Sequence, residues 1–233
     1  MLNLYNRNNI VFWTEDEIRL RRLLENFFVA SLFGVLKEQN PAFDFHQVEA
    51  PLLTPRELIN PNYADDDIYS LDDLALRPET TMGSYAYAAH LMNPHNKRKV
   101  RLPFVVWQHG KSFRREQDHP ARFVRLKEFH QLELQILFHE STKNDYAGVV
   151  LPGARDIIAA MVGPCDIEPS DRLPDYAEWT QDVVCRKSGM EVCSISMRKD
   201  FPQGKNLEVA IGTDRCVVSF LNKSAVHEED PCE

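Results

Sequence analysis

The sequence predicts an α+β fold in which antiparallel strands and helices share one domain. Three observations lead there. Two long runs, Val105–Glu116 and Arg122–Phe138, alternate with period two around a polar turn at Gln117–Ala121, the pattern of an antiparallel hairpin. Three further alternating runs follow at 176–186, 191–199 and 206–212. Helical periodicity accounts for the opening segment and for a stretch after the hairpin.

Taken in order, Thr14-Glu-Asp-Glu17 is a capping box, in which a Thr hydroxyl and a Glu three residues on satisfy each other's free amides. The helix it starts runs to about Gln39, with Ile18, Leu20, Leu24, Phe27, Phe28, Leu32, Val35 and Leu36 on its apolar face, and Asn40-Pro41 stops it. Phe43 to Glu49 reads as a strand. Leu53 to Asp73 reads as a short helix and loops, and a helix spans 80–92. Lys143 to Val162 is helical with a break or kink at Leu151-Pro152-Gly153. Gly163 to Pro174 is turn-rich. Thr213-Asp214-Arg215 opens a helix over Cys216–Leu221. The domain spans 1–225, and the acidic tail 226–233 is expected to be disordered.

The 233 residues carry a net charge of −8, which argues against an indiscriminate nucleic-acid binder. Basic residues nonetheless gather in one stretch, from Lys97, Arg98, Lys99 and Arg101 through Lys111, Arg114, Arg115, Arg122, Arg125 and Lys127. A local positive site on an acidic chain suits a polyphosphate or one segment of RNA. The five cysteines are odd in number and none has Cys-x-x-Cys spacing, so reduced thiols in a cytoplasmic protein are expected, without disulfides or a zinc site. The first nine residues are no signal peptide, and no apolar run would cross a bilayer.

The hairpin carries the functional pattern. Val106, Gln108, Gly110, Ser112, Arg114 and Glu116 share one face of its first run; Arg125, Lys127, Phe129, Gln131, Glu133 and Gln135 share one face of the second. A solvated face would give the same alternation. However, Gln108-x-Gly110-Lys111-x-Phe113-Arg114-x-Glu116 followed by Arg125-x-x-Glu128-Phe129 resembles motif 2 of the class II aminoacyl-tRNA synthetases, nearest the glycine enzyme within the glycine, histidine, threonine, proline and serine subclass. Phe129-His130-Gln131 is also similar to the histidine enzyme. The helix and strand between 14 and 51 resemble motif 1. Leu76-Arg77-Pro-Glu79-Thr80 resembles a segment of the glycine and histidine enzymes, and Glu208-x-x-x-Gly212-x-x-Arg215 resembles motif 3. Ala210 stands where the glycine enzyme has a small polar residue, and of the glycine-rich version of motif 3 only Gly212 remains.

The resemblance runs from about Thr14 to Asn222. It implies a mostly antiparallel sheet flanked by helices, rather than a Rossmann fold. It implies that ATP, with Mg2+, and an amino acid form an aminoacyl-adenylate, a meeting of two anions that positive charge and positioning must promote. By the resemblance Arg114 grips the α-phosphate and Phe129 stacks on adenine. Arg215 covers the other adenine face and reaches the γ-phosphate. Glu116 accepts from the adenine amine or the acceptor end, and Glu208 holds magnesium. Glu79, Gln108 and Glu133 line the amino-acid pocket, Glu79 taking the ammonium; Arg77 and Arg125 are lesser candidates. A homodimer through 14–51 is implied, and no segment after motif 3 has room for an anticodon-binding domain. Three functions remain open: transfer to tRNA or a tRNA-like acceptor, an amino-acid ligase that loads a carrier protein or other acceptor, and a non-catalytic accessory or regulatory subunit.

Overall fold

A computed structural model describes residues 10–97, 100–115, 125–171 and 173–227. The first helix starts where the capping box places it. Helix α1 (Glu15–Gln39) has Thr14 as N-cap, and the Thr14 amide donates to Glu17 Oε2 at 2.8 Å. Asn40 closes the helix. Strand β1 (Asp44–Gln47) follows. Then come β2 (Leu53–Pro55), two 3₁₀ turns at Arg56–Leu58 and Asp65–Asp67, β3 (Ser70–Leu71) and β4 (Leu74–Leu76). Helix α2 (Thr81–Met92) precedes the long strands β5 (Phe104–Phe113) and β6 (Glu128–Phe138). Helix α3 (Tyr146–Val162), strands β7 (Cys165–Pro169), β8 (Ala177–Cys185), β9 (Met190–Arg198) and β10 (Lys205–Gly212), and helix α4 (Thr213–His227) complete the order.

Seven strands form one sheet in the order β1-β5-β6-β10-β9-β8-β7. Only β1 and β5 run parallel; the other five pairings are antiparallel. The α+β expectation is therefore met, and β5 and β6 pair as the hairpin predicted, with Gln108 opposite Glu133 and Ser112 opposite Phe129. The polar turn lies outside the described residues, as do the tail residues 228–233.

Alternation divides the sheet into two faces. On one, Val105, Leu132, Leu134, Ile136, Ile195, Leu207, Val209 and Ile211 are buried with Phe28, Leu32 and Leu36 of α1 and Val150, Ala154 and Ile158 of α3. Burial of such side chains is worth about 1.5–3 kcal/mol each, so this face holds the domain together. The four described cysteines, Cys165, Cys185, Cys193 and Cys216, are free thiols buried in this region. On the other face a smaller cluster packs Tyr85, Ala88 and Leu91 of α2 on Phe104, Val106 and Leu137. The remainder of that face is polar.

Three elements depart from the sequence reading. The segment expected as a short helix and loops contributes β2 and β3 to a small three-stranded sheet in the order β2-β4-β3. Strands of two or three residues are too short to show a period, and cross-chain bonds such as Arg56 N to Asp73 O (3.0 Å) create them. The turn-rich 163–174 contains β7, an edge strand that ends at Pro169, where a missing donor costs no ladder bond. Helix α3 continues through Pro152 instead of breaking. Asp145 caps it by accepting from the Gly148 amide at 2.9 Å, and its buried face packs against α1, so tertiary burial offsets the lost backbone bond.

Candidate active site

The polar face of the sheet floors a cavity of about 690 Å³. Register sets its floor. Across β8, β9, β10, β6 and β5, Asp182, Ser194, Ala210, Glu133 and Gln108 lie in one row; Thr180, Ser196, Glu208, Gln135 and Val106 lie in the next. Gly212 and Gln131 pair two residues nearer the Phe113–Glu128 end of the hairpin, and Phe129 stands two residues beyond Gln131. The solvated-face alternative fails here: Gln108 and Gln135 are fully buried, and Glu133 is only 4 % exposed.

Of the residues singled out from the sequence, Glu79, Arg114, Arg125, Phe129, Glu133, Glu208 and Arg215 all line this cavity. Glu116 lies outside the described residues. Gln108 and Arg77 lie away from it. The Gln108 amide donates to Thr80 O (2.9 Å) and Ser84 Oγ (2.8 Å) and its oxygen accepts from the Ala50 amide (3.2 Å), so it anchors the start of α2. Arg77, 3 % exposed, donates to Ala50 O at 2.7 Å and Lys111 O at 2.9 Å. Gly110 is needed there because a Cβ at that position would collide with the Arg77 guanidinium. Alternation assigns Gln108 to the polar face but says nothing of depth; Arg77, a lesser candidate from the 76–80 segment, is buried behind the same region.

One end of the cavity is aromatic and cationic. The Arg114 guanidinium lies 5.2 Å from the Phe129 ring centre and 5.4 Å from that of Tyr63, and donates to Pro78 O (3.0 Å) and Tyr63 Oη (3.0 Å). Arg215 donates to Glu191 O at 2.8 Å, with the Glu191 carboxylate at 3.5 Å. The preceding Asp214 accepts from the His130 amide (2.8 Å) and from Arg21 (3.3 Å), tying the start of α4 to β6 and α1.

Beside it, with the Tyr63 hydroxyl between Arg114 and Glu79, three carboxylates converge. Glu208 Oε2 accepts from Thr81 Oγ1 (2.7 Å), Gln135 Nε2 (2.9 Å) and Arg198 Nη1 (2.9 Å). Glu133 accepts from the Thr80 hydroxyl and the Gln131 amide. Glu79 Oε2 lies 3.4 Å from Tyr63 Oη and 3.8 Å from Arg198 Nη1, while its Oε1 is buried and has no hydrogen-bond partner among the described residues. Burial, reinforced by Glu208 and Glu79, pushes the Glu133 carboxyl up to about 8. Burial also raises Glu79, partly opposed by Arg198. A buried set of acids that cannot all ionise attracts a cation.

Arg198 is the residue the sequence reading missed. Its side chain is fully buried, pairs with Asp200 (2.7 Å) as well as Glu208, and lies 3.8 Å from the Tyr176 ring centre. Burial lowers its proton affinity, but Glu208, Asp200 and Glu79 outweigh this, so the guanidinium stays charged. The available signal was its place on the polar face with Ser194 and Ser196. Tyr63 gave no signal, because it lies outside the alternating runs; Tyr176 opens one of them, immediately before β8. The arrangement as a whole can hold a planar ring and anionic groups and, beside them, an ammonium.

No family model matches the chain. In sequence, it is 43 % identical over 72 residues to the glycine–tRNA ligase of Mycoplasmopsis synoviae (strain 53), which covers 30 % of this chain and 15 % of that protein. It is 27 % identical over 147 residues to the glycine–tRNA ligase of Staphylococcus aureus (strain JH9), covering 60 % of the chain and 31 % of the relative. The matched segments thus span less than a third of either ligase. In structure, it superposes on seryl-tRNA synthetase from Pyrococcus horikoshii complexed with ATP with a TM-score of 0.69 at 17 % identity, covering 91 % of this chain and 52 % of that one. For prolyl-tRNA synthetase from Cryptosporidium parvum complexed with halofuginone and AMPPNP the TM-score is 0.67 at 14 % identity, covering 93 % and 48 %. Sequence likeness to the one group and structural likeness to the other converge on one architecture: the chain has the fold of a class II aminoacyl-tRNA synthetase catalytic core.

Proposed function

We propose that the protein activates an amino acid with ATP, forming an aminoacyl-adenylate and pyrophosphate, and passes the aminoacyl group to tRNA or a tRNA-like acceptor. The observation that carries this reading is the gathering in one cavity of Arg114, Phe129 and Arg215 with Glu79, Glu133 and Glu208, the last paired with Arg198. A carboxylate oxygen must attack the α-phosphorus, so a substrate amino acid needs its ammonium held and its carboxylate turned to the phosphate. The acidic end does the first by charge-assisted hydrogen bonds, with Glu79 Oε1 as the acceptor still to be satisfied. Arg114 does the second by neutralising charge that builds in transfer, in the planar two-point geometry of a guanidinium. Because it rests over Phe129, adenine stacking on that face of the ring would move it towards the phosphates. Arg215, beside Glu191, would cover adenine from the α4 side.

Magnesium enters this reading with the nucleotide. Among the described residues no group of three or more His, Cys, Asp or Glu is disposed to hold a metal. Glu208, with Oε2 committed to Arg198, Thr81 and Gln135, offers Oε1 to the cavity. A single carboxylate completed by phosphate oxygens and water suits Mg2+ carried by ATP.

The exposed Leu23 and Phe27, one turn apart on α1 at 65 % and 46 % exposure, support self-association through the 14–51 segment. The gathering of four of the five nucleotide-binding candidates, Arg114, Phe129, Glu208 and Arg215, in one cavity favours an enzyme over an accessory subunit. The test is amino-acid-dependent exchange of labelled pyrophosphate into ATP, run with each of the twenty amino acids. Exchange with one or a few is expected; none with any of them overturns the reading. Transfer of the labelled amino acid to bulk tRNA then separates tRNA from a carrier protein as acceptor.

A further inference from the structure

Asp182 has no part in the chemistry above, yet it lines the same cavity from β8. It is 7 % exposed, and its Oδ1 is buried without a hydrogen-bond partner. No ion pair reaches it among the described residues. A buried carboxylate oxygen without a donor is an acceptor that a ligand in the cavity can satisfy. Its neighbours do not satisfy it: the Thr180 and Ser196 hydroxyls lie 3.0 Å apart and bond each other.

Position says which donor would satisfy it. Asp182 shares a row with Ser194, Ala210 and Glu133, so it stands level with the carboxylate cluster. Phe129 lies four residues further along β6 from Glu133, roughly 13 Å away by strand rise. The subsite therefore extends the ammonium end of the cavity sideways, away from the aromatic end. Only small side chains, Ser194 and Ala210, stand between it and Glu133 in that row, so the floor is open. Asp182 on β8 and Glu133 on β6 are three strand steps apart, about 14 Å. A fully extended lysine or arginine with a hydrogen bond at each end approaches that span; alanine does not. Asp171 and Asp175 also line the cavity, and Glu168 faces Asp182 across the edge pairing, so the surroundings are acidic.

We infer that Asp182 is a specificity-determining residue, and that the amino acid taken by this site carries a cationic side chain, ammonium or guanidinium, whose charged end docks on Asp182. The inference rests on the activation reading for its substrate class. It is tested by calorimetric titration of the full chain with L-arginine and L-lysine against their uncharged counterparts citrulline and norleucine. At least one cationic amino acid is expected to bind about 10- to 100-fold more tightly than its neutral counterpart, the range of a charged hydrogen bond. Asp182→Asn, checked by its melting temperature, should erase that preference. Equal binding of charged and neutral ligands, or a preference that survives Asp182→Asn, overturns the inference, and the first comparison needs no variant. Pyrophosphate exchange separates the two readings. Exchange with glycine or alanine but with no cationic amino acid removes the inference and leaves activation standing. Cation-selective binding without exchange for any amino acid leaves the subsite standing and removes the activation chemistry.

Discussion

Replacing Arg198 by Met removes the only guanidinium paired with Glu208 among the described residues and leaves an apolar stem in place. The side chain is fully buried; it pairs with Glu208 at 2.9 Å and Asp200 at 2.7 Å and packs on Tyr176. Methionine can keep part of the ring contact but none of the charge. Glu208 and Glu79 would then share a buried site with Glu133 and no cation, and removing one partner of a buried pair costs about 3–5 kcal/mol. For a domain of this size that lowers the melting temperature by roughly 6–20 °C. Denaturant unfolding gives the free energy directly. A cycle with Glu208→Gln reads the pair, since the second substitution should cost less once Arg198 is gone, by about 0.5–3 kcal/mol. A loss in Arg198→Met below about 1 kcal/mol, the size of an exposed ion pair, would refute the view that this guanidinium makes the acidic end foldable.

Arg114→Ala is expected to abolish pyrophosphate exchange while the protein stays folded, because its bonds to Pro78 O and Tyr63 are peripheral to the core; normal exchange in the folded variant would end its phosphate role. Glu133, pushed up to about 8 by burial, predicts two pH effects. Between the ordinary carboxylate range and about 8 the folded state holds a proton that the unfolded chain has lost, so stability falls as pH rises across that window and levels off above it. Glu133→Gln should flatten the slope. An ammonium ligand favours the ionised carboxyl, so amino-acid binding should release up to one proton near pH 7, seen as buffer-dependent heat in calorimetry; buffer-independent heat would contradict it.

Much of the site could be read in advance because a strand sends alternate residues to one face. Arg114, Phe129, Glu133 and Glu208 each fall on the polar side of an alternating run, and the structure brings all four to one cavity. Gln108 shows the limit of that rule: it belongs to the right face, but its bonds to the start of α2 and to the Ala50 amide bury it behind the cavity. Arg198 and Asp182 were harder. What makes them notable is a charge balance across β8, β9 and β10, fixed by register between segments distant in the chain. The small β2-β4-β3 sheet and β7 were invisible for a related reason, since tertiary pairing, not local period, makes those residues strands.

The order of the sheet has a consequence for how the molecule comes into being. Strand β10 is the last of the ten in sequence, yet it occupies the middle of the seven-stranded sheet, between β6 and β9. It acts as a keystone. Until residues 205–212 are in place, β1-β5-β6 and β9-β8-β7 are two half-sheets with bare inner edges, each a surface prone to wrong pairing. Glu208 and Ala210 arrive with that strand, so assembly and competence are completed in one step: a molecule that has closed its sheet has also built its cavity floor.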